Sequence, residues 1–194
     1  DYVVTAVRTG GPGAAGVSLI VVDKNTPGFT VSRKLDKMGW RSSDTAELSY
    51  VDVRVPAANL VGDEGRGFSL ASDFLVHSRI IYPAGPIGIA QQALDMACRW
   101  AKDRDVFGGK LADKQGIQWM LVESEVELRA ARLLMYKAAW NADLGKDVKV
   151  DASIAKMYGT EKAYDVIDRC IQIHGALGLS DELPLERWFR DLRV

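Results

Sequence analysis

Two short segments of this chain combine residue types that suit a phosphate-bearing aromatic ligand. The first is Lys102-Asp103-Arg104-Asp105-Val106-Phe107-Gly108-Gly109-Lys110-Leu111-Ala112-Asp113-Lys114-Gln115, which lies between two helical patterns. A guanidinium offers a planar fork of donors to a diphosphate, glycines allow close backbone approach, and a phenyl ring can lie against a flavin or an adenine. The plainer reading is a helix–helix turn in which Phe107 plugs the core and Arg104 pairs with a neighbouring acid. The second segment, Gln172-Ile173-His174-Gly175-Ala176-Leu177-Gly178, sets a carboxamide beside two glycines. Gln172 can read a polar edge there, whereas the plainer reading is a helix cap with a partly exposed His174 complementing the helix C-terminus.

Other chemistries find no foothold. His77 and His174 are the only histidines and have no metal-ligand spacing, so no metal site is expected. Cys98 and Cys170 lie far apart, without a CxxC pattern, which argues for two buried thiols in a reducing compartment. There is no serine or cysteine nucleophile motif, no Walker pattern and no GxGxxG. Gly11-Pro12-Gly13-Ala14-Ala15-Gly16 lacks a helical continuation and reads as a hairpin turn. Lys and Arg (25) nearly cancel Asp and Glu (26), leaving a net charge of -1 and no bulk surface for nucleic acid or anionic lipid. No apolar run is long enough to span a bilayer, so a soluble protein is expected, in a bacterial cytoplasm or a mitochondrial or peroxisomal matrix.

The elements that must position these segments divide the 194 residues in two. Tyr2 to about Val55 is β-like, with strands predicted at 2–7, 17–22 and 48–55, and a further strand at Phe29-Thr30-Val31. Three to five strands fit, and their open edges call for upstream strands or another domain to complete the sheet. The chain opens on Asp1 without an initiator Met, which fits something lying upstream. After Pro56, Asn59-Leu60-Val61-Gly62 with Gly65 and Gly67 forms a connector, and the apolar period changes to helical. One long helix, bent by Pro83 and Pro86, is predicted over 68–102, with Leu70, Phe74, Ile81, Ile87, Ala90, Leu94 and Ala97 on its apolar face. A second is predicted over 113–143, carrying Ile117, Leu121, Leu128, Ala131, Met135 and Ala138. A third over 151–174 carries Ile154, Tyr158, Val166, Ile167, Cys170 and Ile171, and a fourth begins at 184–194. The expected fold class is α+β: a partial antiparallel β domain (1–62) followed by an antiparallel four-helix bundle (63–194) whose fourth helix is incomplete.

Several motifs in order resemble the acyl-CoA dehydrogenase family across essentially the whole chain. They are Lys37-Met38-Gly39-Trp40-Arg41-Ser42-Ser43-Asp44-Thr45-Ala46-Glu47-Leu48, then Val51-Asp52-Val53-Arg54-Val55-Pro56 with Asn59-Leu60-Val61-Gly62, and Gly65-Arg66-Gly67-Phe68 with Ser78-Arg79. Arg104-Asp105-Val106-Phe107-Gly108 with Gln115, Gln172-Ile173-His174-Gly175 and Arg187-Trp188-Phe189-Arg190-Asp191 complete the series. The resemblance implies the end of a middle β domain and most of the C-terminal bundle of a homo-oligomeric flavoprotein, a dimer or tetramer. That enzyme oxidises an acyl-CoA thioester to the trans-2-enoyl-CoA with hydride transfer to FAD, and electron-transferring flavoprotein is its usual acceptor. By the same resemblance Arg104, Asp105, Val106, Phe107, Lys114, Gln115, Gln172, Ile173, His174, Gly175 and Ala176 would reach the FAD of a neighbouring subunit. Val76, His77, Ser78 and Arg79 would touch the CoA portion of the substrate. Ala176 stands where the family often has Gly, and Gly109-Lys110 alters the usual order after the phenylalanine. No catalytic base is matched: Ser78 stands where some members carry a Glu, and in most members the base follows the Arg-Asp stretch, here beyond Val194. These residues alone are therefore expected to be inactive. Acyl-CoA oxidases and related flavin monooxygenases share the scaffold, and a non-catalytic helical assembly module is the reading from a different class.

Overall fold

The computed structural model describes residues 1–193. Seven strands and five α-helices follow in the order β1 (Tyr2–Arg8), β2 (Val17–Asp23), β3 (Phe29–Lys34), β4 (Ala46–Tyr50), β5 (Leu60–Val61), α1 (Gly67–Ile81), α2 (Ala84–Asp103), β6 (Asp105–Val106), β7 (Gly109–Lys110), α3 (Gln115–Asp143), α4 (Lys149–His174) and α5 (Leu185–Leu192). Contacts divide them into two compact units. One comprises Asp1–Lys37 with Arg41–Leu75, the other Met38–Trp40 with the chain from Val76 onward.

In the first unit β2 lies between β1 and β5, antiparallel to both, with Tyr2 opposite Asp23, Arg8 opposite Val17 and Leu19 opposite Val61. The glycine-rich segment after β1 is a hairpin connection, as its sequence predicts. Arg8 donates to the carbonyls of Gly11 (2.7 Å) and Gly13 (3.3 Å), and Gly13 takes a φ of 89° that a side chain would resist. A second, two-stranded sheet pairs β3 with β4 around an irregularity between Val31 and Arg33. The strand predicted over 48–55 ends at Tyr50, because Asp52 turns the chain with a φ of 51°. Leu60-Val61, predicted as connector, adds a short strand to the first sheet.

The helical unit corrects one expectation. The single bent helix predicted over 68–102 is two helices, broken between Ile81 and Ala84. Pro83 has no N–H to continue the ladder and becomes the N-cap of α2, while Pro86 falls in the first turn, where a missing donor costs nothing. Pro83 is fully buried, and the site of a Cβ on Gly159 of α4 lies 2.9 Å from its own Cβ, so the ring occupies the space that a larger residue at 159 would need. Leu70, Phe74 and Ile81 therefore sit on α1, where all three are exposed rather than core.

The core of this unit is a seam of small and branched residues. Ala90, Leu94, Ala97 and Ala101 follow one another on a single face of α2 and meet Leu128 and Ala131 of α3, Val166, Ile167 and Cys170 of α4, and Leu185 of α5. Burying a side chain the size of Leu128 or Ile167 contributes about 1.5–3 kcal/mol, and the alanines let the helix axes approach closely. A polar cluster ties α3 to α4. Arg169 donates to Glu127 (2.6 Å) and to Ser124 (3.2 Å), and Lys162 bridges Glu127 (3.0 Å) and Asp165 (2.9 Å). Partial burial alone would raise the Glu127 carboxyl, but the hydrogen bonds from Arg169 and Lys162 outweigh it and hold the group below the usual carboxylate range. Both thiols are free: Cys170 is buried and Cys98 half-buried. Of the fourth predicted helix, Leu185–Leu192 is helical, and Val194 lies outside the described residues.

Candidate functional site

The segment after α2 folds into a miniature hairpin. Arg104 caps α2, its N–H donating to Trp100 O (2.9 Å) and its carbonyl accepting from Leu111 N–H (2.8 Å), so its backbone is fixed on both sides. The two-residue strands β6 and β7 pair Asp105 with Lys110 and Val106 with Gly109. The turn between them is Phe107-Gly108, with φ of 46° and 76°, the signature of a tight primed turn in which a glycine or asparagine is usual and a phenylalanine is strained. Lys110 bridges Asp105 across the hairpin (2.8 Å) and donates its own backbone N–H to the Asp113 carboxylate (2.9 Å). Lys110 thus closes the hairpin, and Asp105 is committed to it.

Neither plainer reading of this segment survives. Phe107 does not plug the core: it is 99% exposed at the tip of the hairpin. Arg104 does not pair with an acid: among the described residues no carboxylate lies within salt-bridge distance of it, and its guanidinium sits over the Trp100 ring, 5.7 Å from the centroid.

At the end of α4, Gly175 (φ 64°) stops the helix and the chain turns back as a short 3-10 segment. Gly178 makes this possible, because a Cβ there would lie 2.6 Å from Ile171 O. His174 is not the partly exposed cap of the plainer reading. It is 6% exposed, bonded through Nδ1 to Cys170 O (2.7 Å) and stacked on Trp100 at 5.7 Å and 19°. Ala176 is not among the residues with positive φ, so alanine meets no backbone penalty at that position.

The ends of α2 and α4 together enclose an open recess of about 340 Å³. Of the positions singled out from sequence, Arg104, Val106, Ile173, His174, Gly175 and Ala176 line it, and Trp100, Leu111 and Leu177 complete it. Asp105, Phe107, Lys114, Gln115 and Gln172 do not line it. Gln172 is exposed on the last turn of α4, Lys114 caps α3 and Gln115 is the first residue of that helix. Val76, His77, Ser78 and Arg79 form a separate group on the last turns of α1, with Val76 packed against a small cluster around Ile80 and Ala152, and His77 and Arg79 exposed. Trp100 escaped the sequence reading because an aromatic on a helix face is usually core; its signal was its place one helical turn before Arg104.

The recess thus sets the Arg104 guanidinium, which has no acidic partner among the described residues, beside the backbone of Gly175 and Ala176. The family described as acyl-CoA dehydrogenase, C-terminal domain, matches residues 65–194. The short-chain specific acyl-CoA dehydrogenase of Megasphaera elsdenii is 40% identical over 193 residues, covering 100% of this chain and 50% of that protein. The acryloyl-CoA reductase (NADH) of Anaerotignum propionicum is 41% identical over 182 residues, covering 94% of this chain and 46% of its own length. The solved structure of butyryl-CoA dehydrogenase from Megasphaera elsdenii superposes with a TM-score of 0.93 at 39% identity, over 100% of this chain and 51% of that one. The chain spans about half the length of the relatives it matches. It belongs to the acyl-CoA dehydrogenase family.

Proposed function

We propose that the complete polypeptide is an FAD-dependent acyl-CoA dehydrogenase that removes the α-proton and β-hydride of an acyl-CoA thioester to give the trans-2-enoyl-CoA, acting as a homo-oligomer and delivering electrons to an electron-transferring flavoprotein. The observation that carries this reading is the hairpin tip, where a strained and fully exposed Phe107 stands near a guanidinium with no acidic partner among the described residues. Such a tip has nothing to hold within its own chain and suits a cofactor bound by the neighbouring copy. When bound, FAD supplies the acceptor for the β-hydride. Arg104 would hold its diphosphate, Phe107 would lie against a ring of the cofactor, and Gln172 with the Gly175-Ala176 backbone would meet its polar edge. Lys114 and Gln115, at the start of α3, belong to the same proposed surface.

Val76 to Arg79 are proposed to meet the CoA portion of the substrate, where the Arg79 cation offsets phosphate charge. The carboxylate that takes the α-proton is proposed to follow Val194. Residues 1–62 would be the end of the middle β domain and 63–194 the bundle. Association is supported by a second feature. Trp119, Val122, Val126, Leu133, Tyr136 and Trp140 lie on one stripe of α3 at intervals of three, four or seven residues, and all six are exposed, an apolar seam of the kind helices bury against one another.

The test is Arg104→Ala in the complete polypeptide. Flavin occupancy falls if the reading is right, and an occupancy equal to the parent's refutes it. Dye reduction by acyl-CoA with no oxygen consumption is the outcome for a dehydrogenase, whereas peroxide release would assign oxidase chemistry instead.

A further inference from the structure

We propose that His174 is a positioning residue for Arg104, acting through Trp100 rather than by touching a ligand. This role rests on the reading of Arg104 as an FAD ligand and concerns how that guanidinium is held ready.

The argument starts from a tautomer. His174 Nδ1 lies 2.7 Å from the carbonyl oxygen of Cys170, one turn earlier on α4. A carbonyl only accepts, so Nδ1 carries the hydrogen. That bond, at a side chain only 6% exposed, fixes the plane of the imidazole. The plane is the one Trp100 lies against, tilted by 19° with centroids 5.7 Å apart. Trp100 in turn carries Arg104, whose guanidinium carbon is 5.7 Å from the indole centroid, while the Arg104 N–H bonds Trp100 O at 2.9 Å. Cys170 carbonyl, His174, Trp100 and Arg104 therefore form one continuous series of contacts from the last turn of α4 to the cap of α2, and the last three line the same recess.

Arginine is the flexible member of the series. A free arginine loses rotamer freedom when it closes on a diphosphate, and a guanidinium already laid over a fixed indole loses less. The indole is fixed by what backs it: its edge packs against the helical core, and His174 lies against its ring.

The experiment measures the FAD dissociation constant in the complete polypeptide for His174→Ala, Arg104→Ala and the double variant, with apo melting temperatures alongside. His174→Ala is expected to weaken FAD about three- to tenfold, the range for one side chain set free, and to add nothing in the Arg104→Ala background. Equal losses from His174→Ala with and without Arg104 overturn the proposal and leave the FAD reading standing. Arg104→Ala that binds FAD as tightly as the parent overturns the FAD reading itself. Trp100→Leu, which keeps an apolar filler, covers the case in which His174→Ala does not fold, and the same loss with the same non-additivity is expected from it. A nitrogen-15 correlation spectrum of the parent provides a readout without cofactor: the hydrogen should be on Nδ1, and an Nε2–H tautomer overturns the proposal.

Discussion

Phe107→Asn should separate folding from binding, because the two respond to this residue with opposite sign. In the chain itself Phe107 is 99% exposed, so its removal sacrifices no burial. Its φ of 46° is followed by 76° at Gly108, and Asn-Gly is the pair such turns prefer. A non-glycine residue in the left-handed region costs about 1–2 kcal/mol, of which asparagine recovers a part. Apo stability is therefore expected to stay level or rise by about 1 kcal/mol, roughly 2–4 °C in melting temperature for a chain of this size. The complete polypeptide with FAD should behave in the opposite way. If the ring is covered there, losing it forfeits about 1.5–3 kcal/mol, or about 10- to 150-fold in affinity. Differential scanning calorimetry of the apo chain and equilibrium dialysis of FAD against the full-length variant measure the two arms. A drop of about 2 kcal/mol or more in apo stability would show that the ring is packed within its own chain. FAD binding at parental strength would refute the role assigned to the tip.

Further outcomes follow from the bundle. Glu127→Gln should cost about 1.5–3 kcal/mol at pH 7, since Arg169 and Lys162 lose their charged acceptor. Because the folded-state pKa of Glu127 is depressed, its contribution is complete above the unfolded value of about 4.3 and is lost as pH falls through the folded value. Urea titrations should thus show the parent–variant gap closing below about pH 4, and a gap independent of pH would contradict the ion pair. Gly159→Val should destabilise by about 1–3 kcal/mol through collision with Pro83, whereas a gain of about 1 kcal/mol from Gly159→Ala, ordinary for an open helical glycine, would contradict the close contact. Burial pushes the Cys170 thiol up to about 12, and burial with Asp95 also raises Cys98. Iodoacetamide at pH 8 should accordingly modify half-buried Cys98 first and reach Cys170 only on unfolding, as read by peptide mapping.

The parts of the fold that were legible in the sequence are those in which one periodic signal dominates. Leu128 and Ala131 on α3, and Val166, Ile167 and Cys170 on α4, are buried where helical spacing places them. Hairpin β1–β2 forms where alternation meets a glycine turn. The failures come from competition between signals. Leu70, Phe74 and Ile81 continue the apolar period into Ile87, so the pattern reads as one helix, yet the absent N–H of Pro83 outweighs the pattern and divides it. Leu60-Val61 is too short for any period and owes its strand to the β2 edge it meets.

The candidate site was legible as a set of residue types but not as an arrangement, and Phe107 shows why. Hydrophobicity argues for burial, and by that argument alone the ring belongs in the core. What exposes it is register: Asp105 and Lys110 bridge across the strands, and two residues remain between Val106 and Gly109 to make the turn, of which Phe107 must be one. These forces are local and need no ligand. They hold an apolar ring in water and in a backbone conformation it disfavours, two costs that the chain by itself never recovers. The Glu127 cluster and the alanine seam explain themselves by stability within the chain. The hairpin tip has no such account among the described residues, and that is the ground for proposing that it meets a bound partner.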